Sequence, residues 1–158
     1  MTRDPDSPLA KLLVAYYGLL ELAHIVVLVW AGMRFLRTGA LGFPAAPPPD
    51  GWAAQVVPFL IATAVLDVLN GLLAWGFVYG YWTRARWRWW VGGITLTATL
   101  YSAIVFVVGT VASGAWRHRP VSYVSMAVVA VPVIALAFLY SVWGITGQFG
   151  FFQEQELR

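Results

Sequence analysis

The chain has 158 residues, 60% of them hydrophobic and 11% charged, with a net charge of +3 and no cysteine. At a mean hydropathy of +0.73, too few polar side chains remain to cover a water-soluble globule, and the missing cysteines exclude disulfides, thiolate chemistry and cysteine-ligated metals. The length accommodates four spans of the ~20 apolar residues that a bilayer core requires, so the chain reads as one all-α membrane domain, 1–158, with four transmembrane helices in an up-down bundle.

The first apolar segment runs from about residue 9 to 36. Ser7-Pro8 suits an N-cap and first turn, and Arg37-Thr38-Gly39 closes the segment. Asp4, Asp6 and the length of the apolar run fit a membrane span rather than a secretory leader. Within it, LLELAHIVVLVW at 19–30 sets Glu21 and His24 among aliphatic and aromatic neighbours. Their spacing puts both on one helix face, and Tyr17 lies one turn earlier on that face. A stiff proline-rich loop, FPAAPPPDGW, follows.

The second segment, about 53–82, carries Asp67 and Asn70 at the same three-residue spacing. Consecutive spans run antiparallel, so the position of each acid can be measured from the shared loop. Glu21 lies 15 residues before Leu36 and Asp67 lies 14 residues after Ala53. At ~1.5 Å per residue, both carboxyls sit about 20 Å below the loop, at matching depth near mid-bilayer. An ionisable side chain there costs ~2.5–3.5 kcal/mol on insertion scales, which predicts that both point into the bundle and face each other. Gluing helices together needs only Ser, Thr or Asn. The acid pair is therefore the candidate site, holding at least one proton at neutral pH unless His24 or a cation compensates.

Next comes YWTRARWRWW at 81–90, where Arg84, Arg86 and Arg88 alternate with Trp82, Trp87, Trp89 and Trp90. Between two spans this pattern reads as an interfacial anchor, with indoles at headgroup level and guanidinium groups meeting lipid phosphates, rather than as a nucleic-acid surface. The third span covers about 89–113. Gly92, Thr95, Thr99, Ser102, Phe106, Gly109, Thr110 and Ser113 fall within an arc of about 100°. That arc serves close helix packing and also offers a polar wall, with Thr99 and Ser102 near the depth of the acids. WRHRP forms the next turn, and Pro120 opens the fourth span, about 121–145. Its corresponding arc holds Ser122, Ser125, Val129, Pro132, Leu136, Tyr140 and Trp143; Pro132 frees a carbonyl at mid-span. Tyr140 and Trp143, with Tyr17, are expected to give the site aromatic walls, whereas Tyr101 points away from the third span's small-residue stripe. The tail QFGFFQEQELR offers Phe149, Phe151 and Phe152 to the interface.

Four spans place both termini and the 83–88 turn on one side, with Arg3, Lys11, Arg84, Arg86, Arg88 and Arg158, against Arg34, Arg37, Arg117 and Arg119 on the other. Retained basic residues mark the cytoplasmic side, so both termini are expected there. Glu-x-x-His is half of a carboxylate di-metal pattern, but no second copy exists and no metal is assigned. No cofactor is indicated.

The four spans, His24-Ile25 inside the first, Asp67 inside the second and Pro132 inside the fourth together resemble the emopamil-binding and sigma-2 receptor group of sterol-handling membrane proteins. The resemblance implies a cavity in which buried acids meet a cationic amine or a sterol carbocation. The chain differs from that group in having no Asp on the first span after His24-Ile25 and no histidine in its third span.

Three functions fit these residues, and whether the protein is an enzyme stays open. The first is a mid-bilayer site for a lipophilic or cationic small molecule, with Glu21, Asp67 and His24 as candidate catalytic groups for proton-transfer, isomerase-like chemistry. Tyr17, Asn70, Thr99, Ser102, Tyr140 and Trp143 would line it. The second is proton or cation translocation through the same residues. The third is an accessory role in a homo-oligomer or larger membrane complex. Membrane lipid is the common partner in all three, and nucleic acid is not expected.

Overall fold

A computed structural model describes residues 6–42 and 47–156, with side chains described as far as residue 144. Arg3, Asp4 and Arg158, residues 43–46 of the first loop and the side chains of Phe149, Phe151 and Phe152 lie outside the described residues. Five helices form: α1 (Pro8–Thr38), α2 (Val56–Trp82), α3 (Arg88–Ala112), α4 (Ala115–His118) and α5 (Pro120–Glu156). Four are long and apolar enough to cross a bilayer, with Pro120–Gly144 as the spanning part of α5. Leu12, Leu66, Leu72, Ile104, Val128, Ile134 and Phe138 are all exposed. In water such a surface would drive aggregation; against hydrocarbon it is the ordinary outer face of a multi-pass integral membrane protein.

Local chemistry sets the helix ends. The Ser7 hydroxyl accepts from the Ala10 N–H at 3.3 Å with Pro8 in the first turn, and Gly39, at φ 68°, ends α1 in the left-handed conformation. α2 starts at Val56, a little inside the expected 53. The WRHRP stretch, expected as a plain turn, instead contains the one-turn helix α4. Gly114, at φ 76°, breaks α3, and Trp116 donates to the Thr110 hydroxyl at 2.9 Å while stacking on Tyr123 at 5.4 Å.

α1 packs against α2 and α5, and α3 packs against the same two, so α1 and α3 face each other across one diagonal and α2 and α5 across the other. Long side chains close both diagonals. The Tyr17 hydroxyl reaches α3, and the Phe77 ring meets Tyr140 edge-on at 5.3 Å. The packed core occupies the half of the bundle nearest the 83–88 turn, around Val14, Phe77, Leu96, Val133, Leu136 and Tyr140. Toward the other end the buried side chains thin to Leu28, Leu60, Thr110, Ala115 and Tyr123.

One expected face is displaced. On α5, Ser122, Ser125 and Val129 are exposed, and Tyr123 and Val133 turn inward instead. The Tyr123 ring has two aromatic neighbours, Phe106 and Trp116, and their stacking selects that face over the serine face. In the turn before Pro132, the Val129 carbonyl accepts from the Tyr16 hydroxyl at 2.7 Å, so α1 supplies a donor beside the proline-interrupted ladder.

Gly92 is where α3, α2 and α5 come closest around the core. A Cβ there would fall 2.6 Å from the Tyr140 hydroxyl and 2.7 Å from the Phe77 ring, and Tyr140 is held by donating to the Arg88 carbonyl at 2.6 Å. Its neighbour Gly93 faces open space. Gly92→Ala should therefore destabilise the bundle by about 1–3 kcal/mol, as overpacking does, while Gly93→Ala leaves the melting temperature in detergent unchanged. Equal melting of the two variants would contradict this packing.

Candidate functional site

Glu21 is 3% exposed, and it is buried because α1 lies directly on Gly71 of α2. A Cβ at Gly71 would fall 2.7 Å from the Ile25 side chain, so the bare backbone there lets α1 pack closely on α2 beside the Glu21 carboxyl. There Oε1 accepts from the Thr99 hydroxyl of α3 at 3.2 Å, and Oε2 lies 3.7 Å from Nδ1 of His24, whose ring is 37% exposed.

Thr99 is the hub of this cluster. It also accepts from Asn70 Nδ2 at 2.8 Å and stands 2.8 Å from the Tyr17 hydroxyl, which is 2.9 Å from the Thr95 hydroxyl. Asn70 Nδ2 makes a longer bond to the Thr95 carbonyl, and the Thr95 hydroxyl a longer one to the Asn70 carbonyl, both at 3.4 Å.

A hydroxyl has one proton and two lone pairs, which limits how the cluster can be arranged. With Glu21 ionised, Thr99 donates to it and accepts from Asn70 and Tyr17, while Thr95 donates to Tyr17. With a proton on Glu21 the sequence runs the other way, from Glu21 to Thr99, Tyr17, Thr95 and finally the Asn70 carbonyl. Both arrangements use the same three hydroxyls and differ in whether Thr95 donates to Tyr17 or to the Asn70 carbonyl, so either charge state of the carboxyl can be hydrogen-bonded without moving a helix.

Asp67 is half-buried one turn from Asn70. It lines a groove of about 280 Å³ between α2 and α3, together with Asn70, Ser102, Thr63, Tyr101 and apolar side chains such as Leu66 and Ile94. Asn70 is 8% exposed, yet its Oδ1 has no hydrogen-bond partner. An unmatched buried acceptor costs on the order of 1–3 kcal/mol.

The arrangement differs from the expected one in three respects. Glu21, Tyr17, Asn70 and Thr99 are joined directly, and Asp67 with Ser102 adjoins them, but the open space lies between α2 and α3 rather than between the first two spans, where Gly71 and Ile25 close the gap. Tyr140 and Trp143 are buried at the far end of the core, with Tyr140 beside Gly92 and Arg88. Thr99 is seven residues, or ~10 Å, along α3 from Gly92, so neither ring walls the acid cluster. Tyr101, set aside in the sequence, is 69% exposed and flanks the groove. Thr95 was readable only as part of the small stripe; its tie to Tyr17 requires the α1–α3 diagonal. Among the described residues, no three His, Asp or Glu side chains are grouped to hold a metal ion.

No protein-family model, curated protein or solved structure matches the chain.

Replacing Thr99 with Val strips partners from Glu21, Asn70 and Tyr17 at once. Thr99→Val should cost about 1–3 kcal/mol, and Thr97→Val, on the exposed side of the same helix, under ~0.5 kcal/mol. Thermal melts in detergent test this; indistinguishable variants would remove Thr99 as the hub.

Proposed function

We propose that the protein binds a lipophilic small molecule bearing a cationic or hydrogen-bond-donating group at mid-bilayer depth, with proton-transfer chemistry available at Glu21. One observation carries this reading: the half-buried Asp67 lines a membrane-facing groove between α2 and α3, with Asn70 and Ser102 on the same wall. A donor group of an incoming molecule would meet the Asp67 carboxyl, while Leu66, Leu69, Leu73, Ile94 and Val105 would hold its apolar body. Glu21 would sit behind this site, linked to it through Asn70 and Thr99. His24, facing both carboxyls, would compensate their charge.

The reversible hydrogen-bond chain supports the proton-transfer part, because general acid–base work needs a group that is equally well held with and without its proton. The resemblance to sterol-handling membrane proteins points to the same ligand class and stands as a proposal with it. The concentrated basic 83–88 turn favours a cytoplasmic position for both termini.

The test is ligand-dependent thermal stabilisation of the purified protein by a long-chain primary amine, with the matching fatty acid as comparison. The amine should raise the melting temperature of the wild type and not of Asp67→Asn, with Glu21→Gln weakening the shift. Stabilisation by the amine that persists in both variants would reject the site. No shift in the wild type with any amine would leave an accessory role in a larger complex as the better reading.

A further inference from the structure

The turn between α2 and α3 holds a non-glycine residue in the left-handed conformation. The end of α2 closes as a Schellman motif: the Ala85 N–H donates to the Gly80 carbonyl at 2.9 Å and the Arg84 N–H to the Tyr81 carbonyl at 3.3 Å. The position between them must be left-handed, and glycine is the usual occupant. Here it is Arg84, at φ 55°, the one described non-glycine residue with positive φ. Such strain persists where the side chain is needed, and the reasoning runs from the outlier to a role.

Structural duties within the chain account for little of that need. Arg84 is 72% exposed, and its partner Asp6 is 4.0 Å away, at the limit of an ion pair and weak in solvent. Arg88, by contrast, is committed to the fold. It lies over the Tyr81 and Trp89 rings at 5.6 and 5.2 Å and donates to the Tyr81 carbonyl at 3.4 Å. That leaves Arg84 and Arg86 as the outward cations of the turn, and the exposed rings of Trp82, Trp87 and Trp90 surround them at the end of the spans. Indoles settle at headgroup depth, which brings the two guanidinium groups level with lipid phosphates.

We propose that the 83–88 turn is a binding site for the headgroup of an anionic phospholipid, with Arg84 held in its left-handed conformation to present its guanidinium to the phosphate. This goes beyond the small-molecule site and does not depend on it. A planar guanidinium meets a phosphate through two parallel N–H···O bonds, a geometry lysine cannot copy.

Tryptophan quenching by bromine-labelled lipids measures the preference for phosphatidylglycerol over phosphatidylcholine around the reconstituted protein. The wild type should prefer the anionic lipid, and Arg84→Gly and Arg86→Gln should each lower that preference about fivefold, the effect of one basic residue near the surface. Arg117→Gln, at the opposite end of the bundle, should leave it intact. Arg84→Gly should also melt at a higher temperature than the wild type in neutral lipid, because glycine relieves the strained position; the opposite signs separate lost binding from lost folding. Arg84→Asn, which tolerates the same backbone, provides a second neutral variant. An unchanged lipid preference in both neutral variants, or no preference in the wild type, overturns the proposal.

Discussion

The hydroxyl of Thr99 on α3 offers one proton and two lone pairs, and side chains of α1 and α2 use all three. In hydrocarbon there is no water to complete a half-made set of hydrogen bonds, so a carboxyl at mid-bilayer is tolerable only where protein supplies every contact. That requirement fixes the relative depth of three helices. Sliding α3 by one turn would carry Thr99 past Glu21, Tyr17 and Asn70 together. The bare backbone at Gly71 serves the same arrangement, since it lets Ile25 of α1 pack against α2 beside Glu21.

Much of the architecture was legible in the chain because membrane spans announce themselves by length and composition. Four apolar runs, the Ser7-Pro8 start and the Gly39 stop each correspond to a physical requirement that one segment meets alone. The depth match between Glu21 and the Asp67–Asn70 pair was also readable, since rise per residue is constant. What could not be read is rotation. Depth says that Asp67 is level with its partners but not which neighbour it turns toward, and the groove lies on the α3 side of α2. The α5 face illustrates the same limit: two arcs of similar polarity compete, and the Tyr123 stack with Phe106 and Trp116 decides between them. Tyr140 and Trp143 were correctly placed inward on their own helix, but their distance from the acids depends on how α5 is registered against α3.

The polar cluster also marks a boundary in packing. On the side of the 83–88 turn, interlocking rings of Phe77, Tyr81, Tyr140 and Trp89 fill the centre. On the other side the helices bury far fewer side chains. A site at such a boundary has a rigid floor and more yielding walls, the combination a binding groove needs if a molecule is to enter from between helices. Backbone strain falls at Arg84 in the 83–88 turn, and Asn70 Oδ1 and Trp52 Nε1 are buried without a hydrogen-bond partner.

The separation of Glu21 from Thr99 has a further consequence. They stand 78 positions apart in the chain, so the first helical hairpin is made before its carboxyl has any partner from α3. The hairpin is complete at Trp82, and at roughly 5–20 residues per second of synthesis the remaining stretch to Thr99 takes on the order of 1–3 s. Until Thr99 arrives, the Glu21 carboxyl of the hairpin lacks its hydrogen-bond donor from α3, and an acid at mid-bilayer depth costs about 2.5–3.5 kcal/mol on insertion scales.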